Sequence, residues 1–253
     1  MSESILRIGV LFPEVLGTYG DTGNALVLRQ RARWRGYESE LVSVGLEDPL
    51  PSDIDLYLLG GGEDTAQAYA ARCLSKDSGF LTAIERGVPL LAICAGLQIL
   101  GQWYTDAEGR QVDGLGLLDC TTSPQGTRTI GELVSTPCID GVSQLLTGFE
   151  NHGGATRLGA DAQPLGIVCS GRGNSRLPHD DSDKPLVDGA QQGSIIATYM
   201  HGPVLARNPQ LADVLLSRAL AIPLAQLPFL GDEESIKALR SERLAVCGIS
   251  EGV

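Results

Sequence analysis

Short apolar runs alternate with longer stretches of helical period through the first half of the chain, a pattern that predicts βα units and a mainly parallel sheet. "ILRIGVLF" (Ile5 to Phe12) reads as a first strand. "DTGNALVLRQRARWRG" follows as a helix, with Asp21 or Thr22 as N-cap, basic residues in its last turns and Gly36 as its stop. "YESELVSV" alternates as a second strand, and "IDLYLLGGG" is a buried strand running into a glycine turn. "EDTAQAYAARCL" and "GFLTAIERG" are helical, "VPLLAI" is a β-run, and the helical period returns after Cys94 through "GLQILGQWY".

The second half is richer in β-pattern: "TRTIGELVST", "LTGFENHGG", "PLGIVCSG" and "GSIIATYM". "NPQLADVLLSRALAI" is a helix with Leu211, Val214, Leu215, Ala219 and Ile222 on its apolar face, and "DEESIKALRSERLAV" predicts another. Between them in pattern, "GRGNSRLPHDDSDKPLVDG" is a polar surface excursion, which makes His179 a solvated loop residue. The expected fold class is α/β: an open, mainly parallel twisted sheet flanked by helices, with a β-rich C-terminal half. Residues 1–222 form the expected main domain and 223–253 a C-terminal helical extension.

Composition narrows the function. A net charge of -12 repels nucleic-acid backbones and anionic membranes, so neither is an expected partner. No apolar stretch reaches the roughly 20 residues that cross a bilayer, and the start lacks a signal-peptide pattern, so a cytoplasmic protein is expected. Six cysteines without a C-x-x-C pair and three histidines without H-x-x-x-H give no metal site and no disulfide framework.

Candidate chemistry centres on "PLLAICAGLQILG" (Pro89 to Gly101), where a strand ends in a thiol followed by small residues and a helix. That is the arrangement of a nucleophile elbow, and a helix N-terminus favours the thiolate of Cys94. The same pattern also suits an ordinary buried βα turn. His201, just after the run "IIATYM", and His152 in "FENHGG" are the base candidates, and spacing alone does not separate them. The glycine turn in "LLGGGED" and the amide of Ala95 supply donors for an oxyanion. "GTYGDTGN" lacks the lysine of a phosphate loop and reads as a turn plus N-cap.

The glycine turn, "CAGLQ" on an elbow and a late strand running into histidine resemble, in this order, the class I glutamine amidotransferases, whose fold is flavodoxin-like. "MHGP" in place of His-x-Glu looks like the cobyric acid synthase type. "YGDTGN", "GGGEDTAQ", "CAGLQILG", "FENHGG" and "YMHGPVLARNP" together are similar to the glutaminase subunits of bacterial lipid II isoglutaminyl synthases, over residues 5 to 222.

The resemblance implies a heterodimer with a Mur-ligase-like synthetase subunit that carries ATP and Mg, while this chain holds no cofactor. This chain hydrolyses L-glutamine, and the partner uses the ammonia to amidate the D-glutamate α-carboxyl of the peptidoglycan precursor lipid II. Cys94 is then the nucleophile and His201 its base, and Gly61 or Gly62 with Ala95 forms the oxyanion hole. Gln98, Arg128, Asn151 and His152 surround the substrate, Arg128 facing its α-carboxylate. Gly202 and Pro203 stand where relatives carry a carboxylate, so the expectation is either a Cys-His dyad or an acid lent by the partner. Rival readings are an amidotransferase subunit for a cobyrinic-acid-like acceptor, a non-catalytic interaction module and a peptidase-like cysteine hydrolase. The last would carry a histidine soon after the elbow, and none occurs before His152.

Overall fold

The computed structural model describes residues 5–17, 20–177, 183–231 and 233–250; His179 lies outside the described residues. Up to the elbow the chain forms β1 (Leu6–Leu11), α1 (Gly23–Trp34), β2 (Ser39–Val44), β3 (Leu56–Leu59), α2 (Asp64–Leu74), α3 (Ser78–Glu85), β4 (Leu90–Ile93) and α4 (Ala95–Leu100). Next come β5 (Trp103–Thr105), β6 (Gln111–Asp113), β7 (Cys120–Pro137), β8 (Leu146–Leu158), β9 (Gly166–Ser170), β10 (Val187–Asp188), β11 (Ala190–Gln192) and β12 (Ile195–Thr198). The helices α5 (Val204–Arg207), α6 (Pro209–Ala219) and α7 (Glu234–Val246) complete the order, with a short 3-10 turn at Leu224–Gln226.

Among the described residues the strands form two sheets. The central one has the order β11-β12-β4-β3-β1-β2 and is parallel except for the β11–β12 hairpin. β4 (LLAI) is apolar at every position and β3 (LYLL) is buried at every position because both faces of the sheet are covered. Successive side chains point to opposite faces. Leu91 and Ile93 of β4 join Leu28, Ala32, Leu211 and Leu215 on the side of α1 and α6, whereas Leu90 and Ala92 join Leu74, Phe80 and Leu97 on the side of α2, α3 and α4.

The β-rich second half builds a sheet of its own, mostly antiparallel, in the order β10-β9-β7-β5-β6 with β8 paired to β7. The two sheets are joined at one point that matters. Phe149 of β8 and His201, just beyond β12, exchange both backbone hydrogen bonds, at 2.8 and 3.1 Å.

One local expectation fails and one holds. The helix after Cys94 ends at Leu100 instead of continuing through Tyr104: Gly101 is extended, and Trp103 and Tyr104 pair with Thr121 and Thr122 of β7. Sheet pairing outcompetes the helical period there, as it does for aromatic residues generally. At α1, Thr22 occupies the N-cap without a side-chain cap bond, and Asp21 turns inward, 3% exposed. The segment after Ile222 packs onto the rest of the chain. Arg240 of α7 is buried and donates to Arg207 O, Asn208 Oδ1 and Leu145 O, while Glu233 and Asp213 hold Arg31.

Candidate active site

Cys94 sits between the last residue of β4 and the first of α4, with φ +52° and ψ -104°. A β-carbon at such a φ is strained, which makes this a sharp elbow that lifts the thiol out of the sheet. The elbow is pinned on the strand side by Cys94 N–H donating to Thr198 O at 2.9 Å. On the helix side a β-carbon at Gly96 would lie 2.6 Å from Leu59 O, so only glycine lets α4 start this close to β3.

Gly61 marks where the site converges. A β-carbon there would stand 3.0 Å from His201 Cε1, 3.2 Å from Asp21 Oδ2 and 3.3 Å from Cys94 Cβ. Cys94 directly follows β4, His201 lies just beyond β12 and Asp21 stands just before α1, so the three gather at the edge of the parallel sheet where ligands of open α/β sheets are held. His201 is 1% exposed, and its Nδ1 lies 2.9 Å from Asp21 Oδ1 and 3.1 Å from Oδ2. A carboxylate only accepts, so Nδ1 carries the proton and Nε2 is the nitrogen left to work on the thiol.

Burial pulls the His201 pKa down, but hydrogen bonds with Asp21 and Cys94, together with their charges, outweigh it and raise the value to about 9. The chain therefore carries its own carboxylate against the histidine. Neither expected arrangement, a bare dyad or an acid lent by the partner, matches this geometry. Asp21 comes from the "YGDTGN" turn, which sequence reasoning treated as a cap. One signal was available: a helix has one N-cap, so of two adjacent cap residues one is left for something else.

The oxyanion donors also need revision. Gly61 N–H donates to Asp21 Oδ2 at 2.9 Å and is not turned toward the thiol. Gly62 and Ala95 do line the cavity in front of Cys94. That cavity holds about 210 Å³ and is also lined by Gln98, Arg128, Asn151, His152 and His201; Gly61 does not line it but lies against Cys94 and His201, so the structure brings the sequence-derived residues together.

His152 is not placed as a base. Its Nδ1 must donate to Gly154 O at 2.9 Å, its Nε2 faces Glu150 Oε2 at 3.4 Å, and the ring is 2% exposed. Arg128 lies on the irregular stretch of β7 between Pro124 and Thr129, where an extra loop of chain lifts it over the mouth of the cavity. From there Arg128 Nε donates to Asn151 Oδ1 at 2.5 Å and Nη2 to Asn151 O at 3.4 Å. Gln67, Glu63 and Thr122 line the cavity too, and the sequence did not single them out. Among the described residues no group of three or more His, Cys, Asp or Glu side chains is arranged to hold a metal ion.

A half-buried thiol beside a buried imidazole–carboxylate pair, with Gly62 and Ala95 lining the same cavity, suits acyl transfer from an amide. Sequence comparison agrees with that chemistry. Residues 7–209 match the CobB/CobQ-like glutamine amidotransferase domain, and the chain belongs to that family. Among its relatives is the glutamine-hydrolysing subunit GatD of lipid II isoglutaminyl synthase from Staphylococcus aureus (strain N315), 38% identical over 85% of this chain and 84% of the relative. GatD of Streptococcus pneumoniae (strain ATCC BAA-255 / R6) is 35% identical over 85% and 80%. A cobyric acid synthase from Sphingopyxis alaskensis is 31% identical over 71% of this chain but only 34% of its own length. Among solved structures, a glutamine amidotransferase aligns with a TM-score of 0.54 at 20% identity, covering 84% of this chain and 98% of the other, and shares the fold.

Proposed function

We propose that this chain is the glutaminase subunit of a lipid II isoglutaminyl synthase. The observation that carries the reading is the convergence of Cys94, His201 and Asp21 around Gly61 at the mouth of a cavity sized for a small amino acid. His201, oriented through Nδ1 by Asp21, holds the thiol proton at Nε2 as an imidazolium, and the paired thiolate attacks the side-chain amide carbon of glutamine. The amides of Gly62 and Ala95 hold the oxyanion. Collapse breaks the C–N bond, His201 returns the proton to the leaving nitrogen, and ammonia departs. Water, deprotonated by His201, then cleaves the thioester to glutamate and restores the thiol. Arg128 takes the α-carboxylate of the substrate, with Asn151 holding the guanidinium.

Ammonia is delivered to a Mur-ligase-like partner that binds ATP and Mg and amidates the D-glutamate α-carboxyl of lipid II. GatD-like coverage supports this acceptor over a cobyrinic-acid-like one: the GatD relatives are matched over most of their length, the cobyric acid synthase over a third. No helix among the described residues is long and apolar enough to cross a membrane. The direct test is co-expression with a Mur-ligase-like synthetase subunit, followed by mass spectrometry of lipid II after adding glutamine and ATP. A one-dalton decrease per stem peptide, absent with Cys94→Ala and restored by ammonium, is expected. No decrease with the unaltered pair removes this acceptor, and no mass added to Cys94 by a glutamine-analogue diazoketone leaves the non-catalytic interaction module.

A further inference from the structure

A line of hydrogen bonds runs beneath the cavity from the central sheet to the antiparallel one. Gln67 on α2, 2% exposed, donates from Nε2 to Gln98 Oε1 at 2.9 Å, and Gln98 donates from Nε2 to the Tyr199 hydroxyl at 3.1 Å. An amide nitrogen only donates, so the Tyr199 oxygen accepts there and its own proton goes to Thr156 Oγ1, 2.7 Å away. Thr156 Oγ1 in turn lies 2.8 Å from Thr122 Oγ1. On its face, the Tyr199 ring stacks on His152 with centroids 3.9 Å apart and planes 24° from parallel.

Tyr199 is fully buried and does not line the cavity, whereas Gln98, His152 and Thr122 all do. One side chain thus braces three parts of the wall without meeting the substrate. The fit has no slack: a β-carbon at Gly154 would stand 2.7 Å from Thr122 Cγ2, 2.8 Å from Gln98 Nε2 and 3.4 Å from the Tyr199 oxygen. Burial, with the Cys94 charge adding to it, raises the phenol pKa, so the hydroxyl stays protonated and keeps both its donor and acceptor roles. At its backbone Tyr199 N–H donates to Asp188 Oδ1 at 3.2 Å, which fixes the chain two residues before His201 independently of the ring.

We propose that Tyr199 is the positioning residue of the amino-acid-binding wall: its hydroxyl and ring hold Gln98 and His152 where they meet bound glutamine. Substrate affinity then depends on Tyr199, and thiol chemistry does not. The inference rests on the glutaminase reading above, and its test keeps the two apart.

Tyr199→Phe, in the full chain, removes the hydroxyl and keeps the stack. Labelling of Cys94 is followed with two electrophiles, iodoacetamide, which lacks an amino-acid end, and the glutamine-analogue diazoketone. The diazoketone rate is expected to fall about tenfold and KM for glutamine to rise about tenfold, the size of one lost hydrogen bond. The iodoacetamide rate and kcat are expected to stay within about twofold. In a Gln98→Ala background, Tyr199→Phe is expected to add less than about threefold, because the two act through one contact. Equal slowing with both reagents, no slowing with either, or full additivity with Gln98→Ala overturns the proposal. Wild-type chain that iodoacetamide labels and the diazoketone does not would instead remove the glutaminase reading, and this inference with it.

Discussion

The two sheets carry different parts of the candidate site, and they are built differently. The thiol and imidazole follow strand ends of the parallel sheet, which is buried on both faces and tied by ladder hydrogen bonds, and the carboxylate stands just before α1. Arg128, Asn151 and His152 stand on the long β7–β8 hairpin of the antiparallel sheet, where Arg128 is exposed. Rigid burial suits groups that must meet within tenths of an ångström. An exposed hairpin suits groups that admit, hold and release a substrate. On the proposed function the difference separates kcat from KM, and single substitutions on either side test that separation.

The largest effect is expected from Cys94→Ala, which abolishes turnover, a fall of at least about 10⁴-fold, while leaving the melting temperature near that of the parent. Residual turnover near the parent level would mean the cavity does other chemistry. Asp21→Asn comes next: kcat is expected to drop by about 10²- to 10⁴-fold with KM little changed, because the amide favours the wrong imidazole tautomer. An unaltered kcat in the assembled pair would return the acid to the partner.

Arg128→Ala on the other sheet is expected to do the opposite, raising KM about 10- to 100-fold with kcat nearly constant, the loss of one charge-assisted contact. If kcat falls with it, the hairpin takes part in chemistry and the division between the sheets breaks. The smallest effect is thermal. His201 has a folded pKa raised to about 9, above its ordinary 6.5, so the stability it contributes is complete below pH 6.5 and is lost as pH rises through 9. The melting temperature of the free chain is therefore expected to fall between pH 6.5 and 9, and Asp21→Asn to flatten that slope. A slope unchanged by Asp21→Asn would detach the carboxylate from the titration.

Much of the parallel sheet was legible because its signals are local. A run such as "LLAI" is apolar at every position only if both faces are covered, and a thiol followed by Ala-Gly and a helical period marks an elbow within a few residues. The antiparallel sheet was legible as β-pattern but not as a separate layer. Which strand pairs with which depends on registers between distant segments, and the pairing of Trp103 and Tyr104 with β7 even overrode a helical period.

By itself, then, the sequence determined the strand-turn-helix carrying Cys94, the glycine turn beside it and the strand that runs into His201. Only the tertiary structure decided the partners of those residues. It set Asp21 against His201 across 180 positions, took Gly61 out of the oxyanion hole by giving its amide to that carboxylate, and put Tyr199 under Gln98 across 101. The reason is physical: an elbow or a cap is chosen by forces within a few residues of chain, whereas a buried hydrogen bond forms between whatever polar groups the packed strands bring within about 3 Å.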